Sequence, residues 1–293
     1  PFSDILITLS PTLKSVKGNE ISLLFDGYET LGLVSIVFFF SENFFQLTKK
    51  GNSKIVSLIS ILITFLFKAA RMNYFIFISV FVSSLFLKRK IFAKILIYFF
   101  IGFVIFYFIF ATGISVSSRI TKISGLNFFY EHFLSSFGVD TENIGGATQG
   151  FALRAFWWET AIRNVFSTFQ TTLLGLGQGI PLTSFVMHTG NVVRDLHNSY
   201  VMILARNGLI GVSIFFILHL KLFQNIFINI KNTSKLIYIN NFYKTGLLFI
   251  IALMTHAIGQ SMLEVSFFAV PYYLIWGIVG SYQLEREEDK TIN

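Results

Sequence analysis

His197 is the side chain in this sequence best placed to move a proton. It stands in the stretch from Asp195 to Gly211, where a long polar loop joins an apolar run. Asn198 or Ser199, directly after it, can cap a helix by accepting an orphan backbone N–H. Asn207-Gly208 can then end that short helix, because both residues tolerate a left-handed backbone, and the chain re-enters an apolar segment at 209–223. A neutral imidazole held at a helix start can accept a proton from a hydroxyl. Two arginines are the other groups with chemical reach. Arg71 opens an apolar span, and Arg154 lies inside the polar loop in Leu153-Arg154-Ala155-Phe156-Trp157-Trp158-Glu159. Between Arg154 and His197, Gly175-Leu176-Gly177-Gln178-Gly179 breaks regular structure.

Composition decides what must position these groups. The chain is 54% hydrophobic and only 13% charged, with 37 Phe, which is far from the balance of a soluble domain. Several nearly uncharged windows of about 17 to 22 residues can each cross a hydrocarbon core of about 30 Å as a helix. The Phe/Ile/Leu blocks lack the period-two alternation of a membrane barrel, and backbone groups in lipid need partners within their own segment. The expected fold class is therefore all-α, a polytopic membrane protein. The absence of Cys excludes disulfides, iron–sulfur clusters and thiolate chemistry. A net charge of +8 would suggest nucleic acid in a soluble domain. Here the Lys and Arg residues fall in short loops between apolar runs, the positive-inside pattern, and no nucleic-acid partner is expected.

Residues 1–28 read as an outer-face segment with some interfacial helix; the chain begins at Pro1, and earlier helices are expected before it. Spans are expected at 29–47, 55–67, 74–87 and 95–111, giving a four-helix block over 29–112. Residues 113–198 form one large outer loop, partly helical, with helical spacing from 151 to 169. Further spans at 209–223, 247–262 and 267–282 bring the total to about seven within the described topology, with 199–283 as the second membrane block and 284–293 as a cytoplasmic tail. In this arrangement Lys49 and Lys50, Lys88 to Lys90, and Lys221, Lys231, Lys235 and Lys244 all face the cytoplasm, while the turn Ala69-Ala70-Arg71-Met72-Asn73 faces outward. Arg71, Arg154 and His197 are thereby expected at one outer membrane face.

In order along the chain, Arg154 and Trp158, then Gly175 and Gly177, then His197-Asn198 followed about ten residues later by Gly208-Leu209-Ile210-Gly211 resemble the O-antigen ligase and polymerase family. The similarity covers roughly residues 55–225, and the last block is its specific part. Ala69-Ala70 precede Arg71 where the family more often has Ser. The resemblance implies glycosyl transfer at the outer face of the bacterial cytoplasmic (inner) membrane. The donor would be a polyprenyl-pyrophosphate-linked saccharide and the acceptor another saccharide, with no nucleotide, metal or other cofactor. Breaking the glycosidic bond develops negative charge on pyrophosphate, and guanidinium groups match phosphate oxygens in bidentate fashion. Arg71 and Arg154 are the candidates for that role, and His197 is the candidate base for the acceptor hydroxyl. Arg163, Arg194, Asp195 and Asn198 are candidate substrate contacts, and Gly175 and Gly177 are either turn formers or phosphate contacts.

Within the family the reading favours a polymerase of O-antigen or capsule-like repeat units. A ligase acting on lipid A core shares the motifs. A flippase of lipid-linked saccharide is the alternative of a different class, although such transporters place charged groups near the midplane on broken helices. Membrane lipid and possible polysaccharide-assembly proteins complete the expected partners. Ordinary structural roles stand beside each assignment. Arg71 can snorkel, Arg154 can pair with Glu159, and His197 can be a hydrogen-bonding residue at a helix start. His256, Gln260 and Glu264, toward the outer end of one span, suit interhelical hydrogen bonding, and Trp157 and Trp158 suit packing and interface anchoring.

Overall fold

The computed structural model describes residues 12–14, 20–22, 28–46, 52–67, 71–88, 100, 104, 126–141, 147–179, 182, 196–260, 263 and 266–281. The expected span at 95–111 falls outside these residues, apart from Phe100 and Val104. So do Arg194, Asp195 and the tail 284–293.

The described chain is helical except for one antiparallel pair, β1 (Thr12–Lys14) and β2 (Glu20–Ser22), with Leu13 opposite Ile21 and Lys14 opposite Glu20. Both segments alternate polar and apolar residues, a period that suits strands, and opposite charges face each other across the pair.

Three apolar helices follow: α1 (Tyr28–Phe45), α2 (Asn52–Phe67) and α3 (Arg71–Leu87). In α1, Leu33, Ile36, Val37, Phe40 and Phe44 recur at helical spacing as an apolar stripe in the core, and Phe39, Ser41, Glu42 and Phe45 on its other faces are buried as well, so the helix is enclosed nearly all round. The end of α1 leaves carbonyls without intrahelical partners. Two other helices supply donors: the Lys88 ammonium reaches the Phe44 carbonyl at 2.9 Å, and the Asn241 amide donates to that of Phe45. Arg71, Met72 and Asn73, expected in a turn, form the first turn of α3. Asn73 is buried against Gly32 of α1, where an added Cβ would lie 2.6 Å from the amide nitrogen.

The polar region between the apolar blocks contains α4 (Leu126–Ser135), α5 (Ala147–Val165) and α6 (Phe169–Leu174). The helical spacing over 151–169 thus belongs to two helices. Thr168 starts the second by a reciprocal capping box with Thr171, and the Thr171 hydroxyl also donates to the Val165 carbonyl at 2.8 Å, which closes the first.

Three helices complete the described chain: α7 (Ser199–Asn232), α8 (Ile237–His256) and α9 (Ser266–Ser281). The expected basic inner loop from Lys221 to Lys244 contracts to the turn 233–236, with both of those lysines on helices. The side chains of Thr233 and Asn240 hold that turn, since Thr233 Oγ1 donates to the Asn229 carbonyl at 2.6 Å and the Asn240 amide to that of Ile230 at 2.5 Å. Hydroxyl and amide groups can close helix ends that a pattern of charge alone places in a loop.

Helix α8 is the centre of the bundle and packs against α1, α3, α7 and α9. Buried Tyr243, Leu247, Ile250 and Leu253 join the stripe of α1, Ile76 and Val80 of α3, and Tyr272 of α9 in the main core. A polar pair ties α9 to α7. The Phe215 carbonyl can only accept, so His219 Nδ1 donates to it at 2.7 Å, and Nε2 then accepts from the Tyr272 hydroxyl. A second, smaller core joins Trp157, Ala161 and Val165 of α5 to Met202 and Ala205 of α7 and to Leu182 and Leu196. Among the described helices, α7 and α8 are long and apolar enough to cross a membrane; Gly32–Phe45, Met72–Leu87 and Ala269–Val279 are shorter apolar runs. Beyond Gly208, α7 exposes Ile210, Ile214, Phe216, Ile217 and Leu220, an apolar surface of the kind that lipid covers.

Candidate active site

Residues 196–199 are fixed by three elements at once. Asn198 is the helix cap: its Oδ1 accepts from the backbone N–H of Tyr200 at 3.0 Å and of Val201 at 3.1 Å. Ser199 joins α7 to the turn after α8, its N–H donating to the Ala257 carbonyl at 2.9 Å and its hydroxyl to that of Gln260 at 3.3 Å, while the Leu263 N–H donates back to the hydroxyl at 3.0 Å. From α5, the Trp158 indole N–H donates to the Leu196 carbonyl at 2.7 Å.

His197 sits between these anchors with φ at +49°, a left-handed conformation that costs a non-glycine residue on the order of 1 to 2 kcal/mol. Its surroundings hold it there. The ring stacks on Trp157, with centroids 6.2 Å apart and planes at 29°, and Nδ1 lies 3.1 Å from Gln260 Oε1. An imidazole kept in a strained backbone conformation by an aromatic face and a hydrogen bond is prepared for one orientation, and such outliers concentrate at functional positions.

Arg154 lies one helical turn before Trp157 on α5 and is partly exposed. Glu159 does not pair with it. That carboxylate binds Arg163 at 2.5 Å, one turn onward, in a surface pair with both side chains largely exposed. Helix geometry explains the choice, because residues four apart share a face and those five apart do not. Arg71 is the first residue of α3, and the next residue, Met72, packs against Gly259 beside Gln260. The starts of α3 and α7, the end of α8 and the Trp157 turn of α5 therefore meet at one end of the bundle.

Gly175 and Gly177 belong to a backbone lock. α6 ends at Gly175, with φ at +76°, and its N–H donates to the Thr171 carbonyl at 2.8 Å. The Leu176 and Gly177 N–H groups then donate to the carbonyls of Ala205 and Arg206, at 2.7 and 3.2 Å, and the Arg206 guanidinium returns a bond to the Gly177 carbonyl at 2.9 Å. These bonds fall just before the break in α7 at Gly208, where φ is +63° and ψ −164°. A Cβ at Gly175 would lie 2.5 Å from the Arg206 carbonyl, and one at Gly208 would strike the carbonyl of Leu173. Gly211 similarly leaves room for the Asn207 side chain. The two glycine motifs are thus the halves of one contact, and the amide donors that a phosphate would need are engaged within the fold.

Arg206 is the residue of this arrangement that sequence reasoning does not single out; the general readings of Gln260 for hydrogen bonding between helices and of Trp157 for packing agree with the structure, but their meeting at His197 does not follow from them. No known protein family, curated protein or solved structure matches this chain.

Proposed function

We propose that this chain is a multi-pass membrane glycosyltransferase of the O-antigen polymerase and ligase type, spanning the bilayer about seven times with the His197 end of the bundle facing outward. The single observation that carries the reading is the fixed imidazole of His197 at a helix start, stacked on Trp157, which follows Arg154 by one turn of α5, and at the same bundle end as the start of α3. In the reaction, His197 takes the proton of an acceptor sugar hydroxyl. The hydroxyl oxygen bonds to the anomeric carbon of the donor, and the bond from that carbon to the pyrophosphate oxygen breaks. Polyprenyl pyrophosphate leaves with the electron pair, and its charge is met by Arg154 and Arg71. With polymerised repeat units as product, the acceptor is a second lipid-linked saccharide.

The test is an assay in proteoliposomes carrying a lipid-linked repeat unit. A polymerase lengthens the glycan, a ligase does so only by transfer to an added lipid A core acceptor, and a flippase changes sidedness with no new glycosidic bond. The last result would overturn the proposal. In the same assay Arg154→Lys keeps the charge and loses the planar two-point contact, so activity falls about tenfold or more while expression and insertion hold. Full activity in the Lys variant would assign Arg154 a structural role.

A further inference from the structure

We propose that Gln260 is a positioning residue that sets the tautomer of His197. The inference rests on the proposed role of His197 as a base. Gln260 Oε1 lies 3.1 Å from His197 Nδ1. An amide oxygen only accepts, so the proton of this contact belongs to Nδ1. A neutral imidazole carries one ring proton, and its lone pair is therefore on Nε2, the nitrogen on the far side of the ring from Gln260. With Trp157 stacked against the ring, the amide fixes rotation about the remaining axis, so Nε2 is both the basic nitrogen and the oriented one. This is the arrangement that a partner of Nδ1 provides in hydrolytic triads, here from a neutral amide in place of a carboxylate.

The bonds that tie Ser199 to the turn after α8 use that turn's backbone groups and not the Gln260 side chain. Ser199 holds that turn through the Gln260 carbonyl, the Ala257 carbonyl and the Leu263 N–H; none of these bonds uses the Gln260 amide. Substitutions at Gln260 therefore change what faces His197 and leave these Ser199 bonds in place.

The experiment combines ring ¹⁵N spectra of histidine-labelled protein, taken where the ring is neutral, with turnover of Gln260→Met and Gln260→Glu. The spectrum of His197→Gln identifies the His197 signals among the five histidines. The wild type is expected to show His197 protonated on Nδ1. Gln260→Met, of similar length but with no oxygen acceptor, is expected to release the ring to the Nε2–H form and lower kcat about ten- to a hundredfold. KM for the lipid-linked donor should change less than about twofold. Gln260→Glu retains an acceptor, and should keep the Nδ1–H form and most of kcat. A packing role predicts the reverse order, with Met tolerated and Glu not. An Nε2–H signal in the wild type, or unchanged tautomer and kcat in Gln260→Met, overturns the inference. The tautomer is read without turnover, so a wild type that forms no glycosidic bond defeats the proposed function and still leaves the Gln260 contact tested.

Discussion

Replacing His197 by Ala or Gln is expected to lower the proposed transfer by about a hundred- to ten-thousandfold while donor binding through the arginines persists. In energy this is about 3 to 5 kcal/mol of barrier. The competing structural explanation is much smaller and has a known location. Loss of a helix cap costs about 1 kcal/mol, and the cap of α7 is Asn198, whose bonds to Tyr200 and Val201 do not involve the imidazole. Left-handed φ adds a useful control. Asn adopts that region more readily than most residues, so His197→Asn should fold at least as well as Ala and Gln and remain equally inactive. Binding is measured with labelled polyprenyl-pyrophosphate saccharide, and product by glycan length. Near-normal turnover in His197→Gln, which can replace a hydrogen bond but not a base, would make His197 structural and direct the search for the base to Asp195.

The other large effect concerns stability. Gly208→Ala is expected to destabilise the fold by about 2 to 5 kcal/mol: roughly 1 to 2 from placing a side chain at positive φ, and about 1 to 3 from the overpacking it creates. The overpacking is specific, because a Cβ there meets the carbonyl of Leu173 and the N–H of Gly175, rigid backbone that cannot turn aside. Gly179 provides the comparison. It too has positive φ, +79°, but open space where its Cβ would be, so Gly179→Ala should lose only the backbone part. Thermal unfolding in detergent, followed by tryptophan fluorescence, measures both; limited proteolysis should show cleavage near residues 166–179 in the Gly208 variant first. Equal losses in the two variants would mean that the contact between α6 and the α7 break contributes nothing. Activity should fall with the lock even though His197 is intact, since Met202 and Ala205, on the α7 segment it holds, share a core with Trp157.

The features legible from the residues alone are local ones. Long apolar runs place α1, α3 and α9 because each must bury or cover its own backbone donors and acceptors, and this requirement does not depend on neighbours; α8, expected at 247–262, runs instead over Ile237–His256. Asn198 as a cap and Gly208 as a break were legible for the same reason: a side-chain acceptor one residue ahead of a helix, and a residue without a Cβ, act within a few bonds of themselves. The tertiary structure decided the pairings. Gln260 lies 63 residues from His197 and Gly177 lies 29 from Arg206, distances over which neither periodicity nor composition carries information. Gly175 and Gly208 each read as an ordinary turn former, and only the packing of α6 on α7 shows that both lack a Cβ to let the same two backbones touch. Likewise Trp157 and Trp158, neighbours on one helix, point to different tasks because helical rotation turns one ring onto His197 and aims the other's N–H at the Leu196 carbonyl.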